Sequence, residues 1–150
     1  MKILLPVDGS PAALAAVRHA LALRGAGLAA DFVLANVQEP PSLYEVVVAH
    51  DADVLSEVRR DAGADLLAPA EALLEAAGAS WESEVAGGDP GHLLVDLAEN
   101  YGCDAVVMGL GEGAPGRVAR ALLQHSPVPV TLVRAPESAA GEAAPPDDGG

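Results

Sequence analysis

Aromatic residues and basic residues are both scarce in this chain of 150 residues. Phe, Trp and Tyr make up 3% of it, which disfavours single-stranded nucleic acid binding by base stacking on aromatic side chains. Eight basic residues against 22 acidic ones give a net charge of -14, so the chain repels nucleic acids and anionic membranes. We therefore expect neither nucleic acid nor membrane among its partners, and any bound phosphate must be held by local contacts.

Long apolar runs and paired cysteines are also lacking. No stretch approaches the roughly 20 apolar residues that span a bilayer, and no apolar signal region precedes Pro6 and Asp8. The single Cys103 comes just before an apolar stretch, where a buried and unreactive thiol is the expected role. Together these features predict a cytoplasmic protein without a disulfide framework.

Strand-like and helix-like segments alternate along the chain. Apolar runs predict strands at residues 3–7, 30–37, 80–86, 104–109 and 128–133, and helical spacing of apolar residues fills 11–25, about 51–77, 90–101 and the stretch around 118–123. Ser10 and Asp89 are each followed by a proline, which is the pattern of a helix N-cap and first turn. The alternation predicts an α/β fold with one parallel sheet, right-handed crossovers and helices on both faces.

Three places interrupt this pattern. Gly63 and Pro69 fall inside the second helical segment, so we expect a kink or two shorter helices there. Residues 42–52 mix strand-favouring valines with other residues, and we expect a loop with some local structure. Residues 136–150 have no aliphatic residue larger than Ala, which predicts a flexible acidic tail after a domain of residues 1–135.

The stretch 104–117 joins a predicted strand to a predicted helix through four glycines within eight positions. Backbone N–H groups beside glycines can approach a ligand closely, and the helix N-terminus adds partial positive charge, so the arrangement suits a phosphate. The same glycines would also serve a turn that needs positive φ angles, with no ligand involved. Both interpretations are open at this point.

Residues 116–134, with a helix, a His-Ser-Pro-Val-Pro turn and a last strand, closely resemble the C-terminal end of the universal stress protein family. The opening residues 1–10, which end in Asp-Gly-Ser, are similar to that family's first strand and turn, and 87–90 and 104–109 follow in the expected order. The resemblance covers about residues 1–135. It implies a Rossmann-like, adenine nucleotide α hydrolase-like fold, which is a doubly wound five-stranded parallel sheet of order 3-2-1-4-5.

The resemblance also implies partners and ligands. Family dimers pair the last strand, here 128–133, antiparallel across a two-fold axis, so we expect a homodimer; a further regulatory partner is not identified by the sequence. Ligands of doubly wound sheets bind beyond the carboxyl ends of the strands where the strand order reverses, here between the first and fourth strands. Nucleotide-binding members use an aspartate like Asp8 and a backbone like that of Val37 against the adenosine, and a Gly-2x-Gly-9x-Gly-Ser/Thr loop around the phosphates. The candidate cofactor-binding residues are Pro6, Val7, Asp8, Val37, Met108, Gly109, Gly111, Gly113, Gly116 and Arg117. The implied cofactor is ATP or another adenine nucleotide, and none is required.

The phosphate loop departs from the family pattern. Glu112 stands where the second glycine is expected, six residues separate Gly109 from Gly116, and Arg117 replaces the hydroxyl residue. Such a short loop offers fewer N–H groups to a triphosphate, and the carboxylate repels it. Arg117, with Arg120 one turn away, either clamps phosphate by its charge or lies along the surface and covers apolar contacts.

We therefore expect a universal stress protein-like binding or regulatory module with a degenerate phosphate loop, which is neither an enzyme nor a tight ATP binder. One alternative is an ATP-binding stress protein that uses Asp8, Val37 and the loop from Gly109 to Arg117. A second is an adenine nucleotide α hydrolase-like enzyme, but such enzymes usually carry a Ser-Gly-Gly loop after the first strand. Here Ser10 is followed directly by Pro11.

Other constellations of reactive side chains give no site. His50, Asp51 and Asp53 are residue types that ligate metals, yet capping of the following helix explains them, and no metal is expected. The remaining histidines are scattered over separate helical segments without the partners of a catalytic triad, so no catalytic residue is assigned.

Overall fold

The computed structural model describes residues 1–39 and 52–136, in which strands and helices alternate. The elements are β1 (Lys2–Pro6), α1 (Pro11–Gly25), β2 (Asp31–Gln38), α2 (Ala52–Ala76), β3 (Trp81–Gly87), α3 (Pro90–Asn100), β4 (Ala105–Leu110), α4 (Arg117–His125) and β5 (Val130–Arg134). All neighbouring strands pair in parallel, in the order β3-β2-β1-β4-β5. The predicted α/β fold and strand order are confirmed. The loop expected from residue 42 and the tail expected from residue 136 fall almost wholly outside the described residues.

Two helices begin where the capping pattern predicted. The Ser10 hydroxyl accepts a hydrogen bond from the Ala13 N–H at 3.2 Å, and α1 starts at the proline between them. The Asp89 carboxylate likewise accepts from the His92 N–H at 3.1 Å, and α3 starts at Pro90. Each cap satisfies a backbone donor that has no partner inside the helix. Both caps stand at the carboxyl edge of the sheet.

The sheet is covered on both faces, which explains why its strands read as continuous apolar runs. Successive residues of a strand point to opposite faces, so Ile3 and Leu5 pack with α1 and α2 while Leu4 packs with α3 and α4. The first layer also buries Val17, Phe32, Leu34, Leu67 and Leu74, and the second buries Val33, Leu94, Leu97, Val106 and Leu122. In the described part of the chain, no helix has the length and apolar character to cross a bilayer.

A single helix, α2, runs through both Gly63 and Pro69. Of the two alternatives expected for this segment, a kink or two shorter helices, the second is wrong. Packing explains the continuity. Gly63 is buried against the sheet, where an added Cβ would lie 2.5 Å from Val85 Cγ1 and 2.8 Å from Asn36 Oδ1. One turn further along, Leu67 is fully buried on the same side. Burial of this face stabilises the helix more than the local preferences of glycine and proline weaken it.

The two edges of the sheet differ in charge. The outer strand β3 carries Glu82 and Glu84; Lys2 Nζ lies 3.7 Å from a Glu82 oxygen, and the Tyr101 hydroxyl donates to Glu84 Oε1 at 2.5 Å. That hydrogen bond is the main cause that raises the pKa of Tyr101 to about 12. The opposite edge strand, β5, reads Val-Thr-Leu-Val before its terminal Arg134. Charged side chains guard an edge against pairing with another chain, and β5 lacks them over these four residues.

We propose that the protein is a homodimer that pairs β5 with β5, and we expect light scattering at tens of micromolar to give twice the chain mass. Thr131 is an exposed residue of this strand. Thr131→Lys should yield a monomer because it places a like charge on both strands of the pair. Ala72→Lys, at an exposed position of α2, adds the same charge and should leave the dimer intact. A wild-type protein that is monomeric at this concentration contradicts the proposal.

Candidate functional site

A cavity of about 240 Å³ opens at the carboxyl edge of the sheet, where the strand order reverses between β1 and β4. Pairing of β1 with β2 extends from Lys2 to Pro6, whereas its pairing with β4 covers Ile3 and Leu4. The two central strands therefore part toward their carboxyl ends and leave space between them. Six of the residues predicted for the site line this cavity: Pro6, Val7, Asp8, Val37, Met108 and Gly109.

Seven lining residues were not among the predicted ones: Ser10, Ala13, Ala35, Glu39, Pro90, Leu94 and Val118. Most of them come from segments whose role is already explained by capping or by core packing. Ser10 and Pro90 stand at helix starts, and Leu94 is a core residue of α3. The helix-start motifs were a usable signal, because helices on a parallel sheet begin at the edge where ligands bind.

The Asp8 carboxylate has a structural role of its own. Its Oδ1 accepts a hydrogen bond from the Ser10 N–H at 2.9 Å, which closes the turn between β1 and α1. The residue is exposed at the rim of the cavity, and Oδ2 has no hydrogen-bond partner among the described residues. One carboxylate oxygen therefore orders the turn while the other is available to a ligand.

A buried amide fixes the end of β1 just before Asp8. Asn36 is 3% exposed, and its Nδ2 donates to the Val7 carbonyl at 2.8 Å. The Val7 N–H in turn donates to the Ala35 carbonyl at 2.8 Å. Asn36 Oδ1 is buried without a partner in the described part of the chain, which is costly in a core. Through its hydrogen bond to the Val7 carbonyl, Asn36 holds one wall of the cavity in place.

Gly109 is required by close packing of β4 against α1. An added Cβ would lie 2.4 Å from the Ala12 carbonyl carbon, 2.5 Å from its oxygen and 2.7 Å from the Ala13 nitrogen. These are backbone atoms, which cannot rotate away as a side chain can. The first glycine of the predicted phosphate loop thus has a structural explanation, whether or not a phosphate binds.

The rest of the glycine-rich segment lies outside the cavity lining. Gly111, Gly113, Gly116 and Arg117 are exposed, and their contact with a ligand stays a prediction. Arg134 holds the segment from the β5 side. Its Nη1 donates to the Gly111 carbonyl at 3.1 Å, and its two terminal nitrogens approach the Gly113 carbonyl at 3.5 and 3.4 Å. These contacts occupy the Arg134 guanidinium with carbonyl oxygens of the loop. Such oxygens repel a phosphate and do not bind it.

Arg117 forms an ion pair with Glu39, a lining residue of the cavity. Its Nη2 lies 3.0 Å from Glu39 Oε2, and both side chains are largely exposed. The Glu39 carbonyl also accepts a hydrogen bond from Arg59 of α2. Arg117 further contributes to lowering the pKa of Asp89, although the main cause is the hydrogen bond between Asp89 and His92. Arg117, which was predicted to clamp phosphate, is thus already paired with a carboxylate of the protein.

No group of three or more His, Cys, Asp or Glu side chains that could hold a metal occurs in residues 1–39 and 52–136, as far as their side chains are described. The cluster of His50, Asp51 and Asp53 lies outside the described side chains. Burial raises the pKa of the Cys103 thiol, which agrees with its position in the core.

The model of the universal stress protein family matches residues 1–134. The chain belongs to the universal stress protein family. A universal stress protein of Methanocaldococcus jannaschii is 26% identical over 91% of this chain and 83% of its own length. A universal stress protein solved in complex with cAMP is 25% identical, covers 91% of this chain and 98% of its own, and has a TM-score of 0.69. A family member from Arabidopsis thaliana, solved with AMP bound, has a TM-score of 0.68 over 98% of this chain and 97% of its own; at 17% identity it supports the fold alone.

The contact between Gly109 and α1 gives a stability prediction. Gly109→Ala should destabilise the protein by about 1 to 3 kcal/mol, because overpacking against rigid backbone forces β4 and α1 apart. Gly111→Ala is the matched control: no atom lies within 4 Å of its added Cβ and its φ is not positive. The control should stay within about 0.5 kcal/mol of wild type. Urea unfolding measures both, and equal stability of the two variants would contradict the close contact.

Proposed function

We propose that this protein is a binding module that takes an adenine nucleotide by its adenosine part, gains little from the phosphates, and does not hold ATP tightly. The observation that carries the proposal is the meeting of Asp8, Val37 and Met108 in one cavity at the reversal of strand order. Open α/β sheets bind their ligands at this position. The relative solved in complex with cAMP supports an adenine nucleotide as the ligand class.

The chemistry of the lining supports contact with adenosine. Ala35, Val37, Leu94, Met108 and Val118 provide an apolar wall suited to a flat base. Asp8 supplies a carboxylate at the rim, and a carboxylate accepts strong hydrogen bonds from ribose hydroxyl groups. A few polar groups placed on an apolar wall are the usual composition of a small-molecule site.

The surroundings of the cavity argue against tight binding of a triphosphate. The volume of about 240 Å³ lies below the roughly 300 to 1,000 Å³ of most ligand pockets. Arg134 holds two carbonyl groups of the glycine-rich segment, and Arg117 is paired with Glu39. On a chain of net charge -14, few groups are left to neutralise three phosphates.

The competing function is that of an enzyme that adenylates a substrate or hydrolyses the nucleotide. The turn after β1 supports the binding module, since Ser10 caps α1 and is followed by Pro11, which leaves no glycine-rich phosphate loop there. Incubation of the purified protein with Mg-ATP should give no AMP or ADP above the rate without protein. Steady turnover that is lost in an Asp8→Ala variant would favour the enzyme.

Removal of the Asp8 carboxylate should weaken AMP and adenosine binding by about 1 to 3 kcal/mol, through loss of a charge-assisted hydrogen bond. Isothermal titration calorimetry measures the change. Asp8→Asn retains an acceptor for the Ser10 N–H, so comparison with Asp8→Ala separates the turn from the charge. Asp31→Ala is the control, because Asp31 begins β2 and so lies at the amino ends of the strands, away from the cavity. Equal affinity of wild type and both Asp8 variants would remove Asp8 from the binding site.

Titration with Mg-ATP should give a dissociation constant weaker than roughly 10 micromolar, which corresponds to about 7 kcal/mol of binding. A variant with Arg117→Ser and a lengthened 110–115 loop should bind ATP more tightly, because it restores backbone donors and the hydroxyl residue of the family pattern. A tighter wild-type constant would contradict the expected weak binding of ATP, and a loss of ATP affinity on Arg117→Ser alone would make Arg117 a phosphate clamp.

A further inference from the structure

We propose that Glu39 is the specificity-determining residue of the cavity: its carboxylate holds Arg117, so that a phosphate group adds no affinity to that of the adenosine part. This inference rests on the proposed function and adds the residue that sets ligand preference. Glu39 belongs to no motif of the sequence, and it follows the last residue of β2. In the fold it lines the same cavity as Asp8 and Met108.

The first argument is the position of the carboxylate. Its Oε2 lies 3.0 Å from Arg117 Nη2, although the two residues are 78 positions apart in the chain. Glu39 stands at the end of β2 and Arg117 begins α4, so the ion pair joins two sides of the carboxyl edge. A phosphate that reached Arg117 would have to displace this carboxylate and would then remain beside it.

The second argument is that the backbone of Glu39 is held in place, which keeps its side chain near the cavity. Arg59 of α2 donates to the Glu39 carbonyl oxygen, which fixes the chain where it leaves β2. The side chain itself is 63% exposed, so it contributes little to the core. Its replacement by glutamine therefore changes the charge of the site without opening a cavity in the fold.

The third argument is the charge that a phosphate would meet beside Arg117. The Glu39 carboxylate balances the charge of Arg117 before any ligand arrives. Like charges that face each other in a binding site act as discrimination against the wrong ligand. A nucleoside avoids this repulsion, because its hydroxyl groups carry no charge.

The test is calorimetric titration of the full chain with adenosine and with AMP. Wild type should bind AMP no more tightly than adenosine. Glu39→Gln should tighten AMP binding at least about threefold, the scale of an exposed ion pair, and leave adenosine within about twofold. Glu99→Gln makes the same change in net charge and should alter neither affinity, because Glu99 lies in the last turn of α3, away from the carboxyl ends of the strands.

A second arm asks whether Arg117 is the group that Glu39 neutralises. Arg117→Gln introduced into Glu39→Gln should abolish the gain in AMP affinity, and higher salt should weaken AMP binding to Glu39→Gln more than to wild type, because the freed contact is exposed. Persistence of the gain without the arginine would overturn the pairing argument. Circular dichroism and thermal unfolding confirm that every variant is folded.

The remaining outcomes separate this inference from the proposed function. If adenosine binds but Glu39→Gln leaves AMP affinity unchanged, or improves adenosine and AMP equally, Glu39 is not the selector and the adenosine site stands. If Glu99→Gln gives the same gain, net charge and not this residue sets the preference. If neither ligand binds to any variant at millimolar concentration, the proposed function fails and this inference fails with it.

Discussion

The carboxyl end of β4 lies against the first turn of α1 so closely that no side chain fits between them. Gly109 meets this constraint, since an added Cβ would fall 2.4 Å from a backbone atom of Ala12. The contact brings Met108 beside the turn that carries Asp8, and both line the cavity. The candidate site is therefore a product of how the central strands and the first helix pack. The glycine-rich segment that follows is less important to its shape.

Arginines near the carboxyl ends of the strands mainly bind other parts of the protein. Arg59 donates to the Glu39 carbonyl, Arg117 pairs with the Glu39 carboxylate, and Arg134 donates to carbonyls of Gly111 and Gly113. Each contact links segments that are distant in sequence and restrains a loop or strand end. In a chain with 22 acidic residues, cations used in this way are few and are not freely available to an anionic ligand. The electrostatics of the site follow from the fold as much as from the ligand.

Local signals in the sequence predicted the elements well where capping and apolar runs coincide, as at Ser10 and Asp89. Strand order came from the family resemblance, because alternating strands and helices fit several orders. The continuity of α2 was missed, since burial of Gly63 against β2 and β3 cannot be read from the helix itself. Six predicted residues met in the cavity, but Glu39 was missed because its partner Arg117 lies 78 positions away and no spacing rule connects them. Side-chain pairing across a sheet edge is a tertiary property.

The two edge strands of the sheet differ in charge, and this difference has a consequence for the proposed homodimer. A sheet with two open edges can add strands at both and grow without end, as fibrils do. Here glutamates stand on β3, and the run of uncharged residues is confined to β5. In the proposed dimer of β5 with β5, each subunit presents its glutamate-bearing edge to solvent, which disfavours further strand pairing. In that dimer the glutamates of β3 oppose the addition of further strands, while the β-branched residues of β5 are covered by the partner.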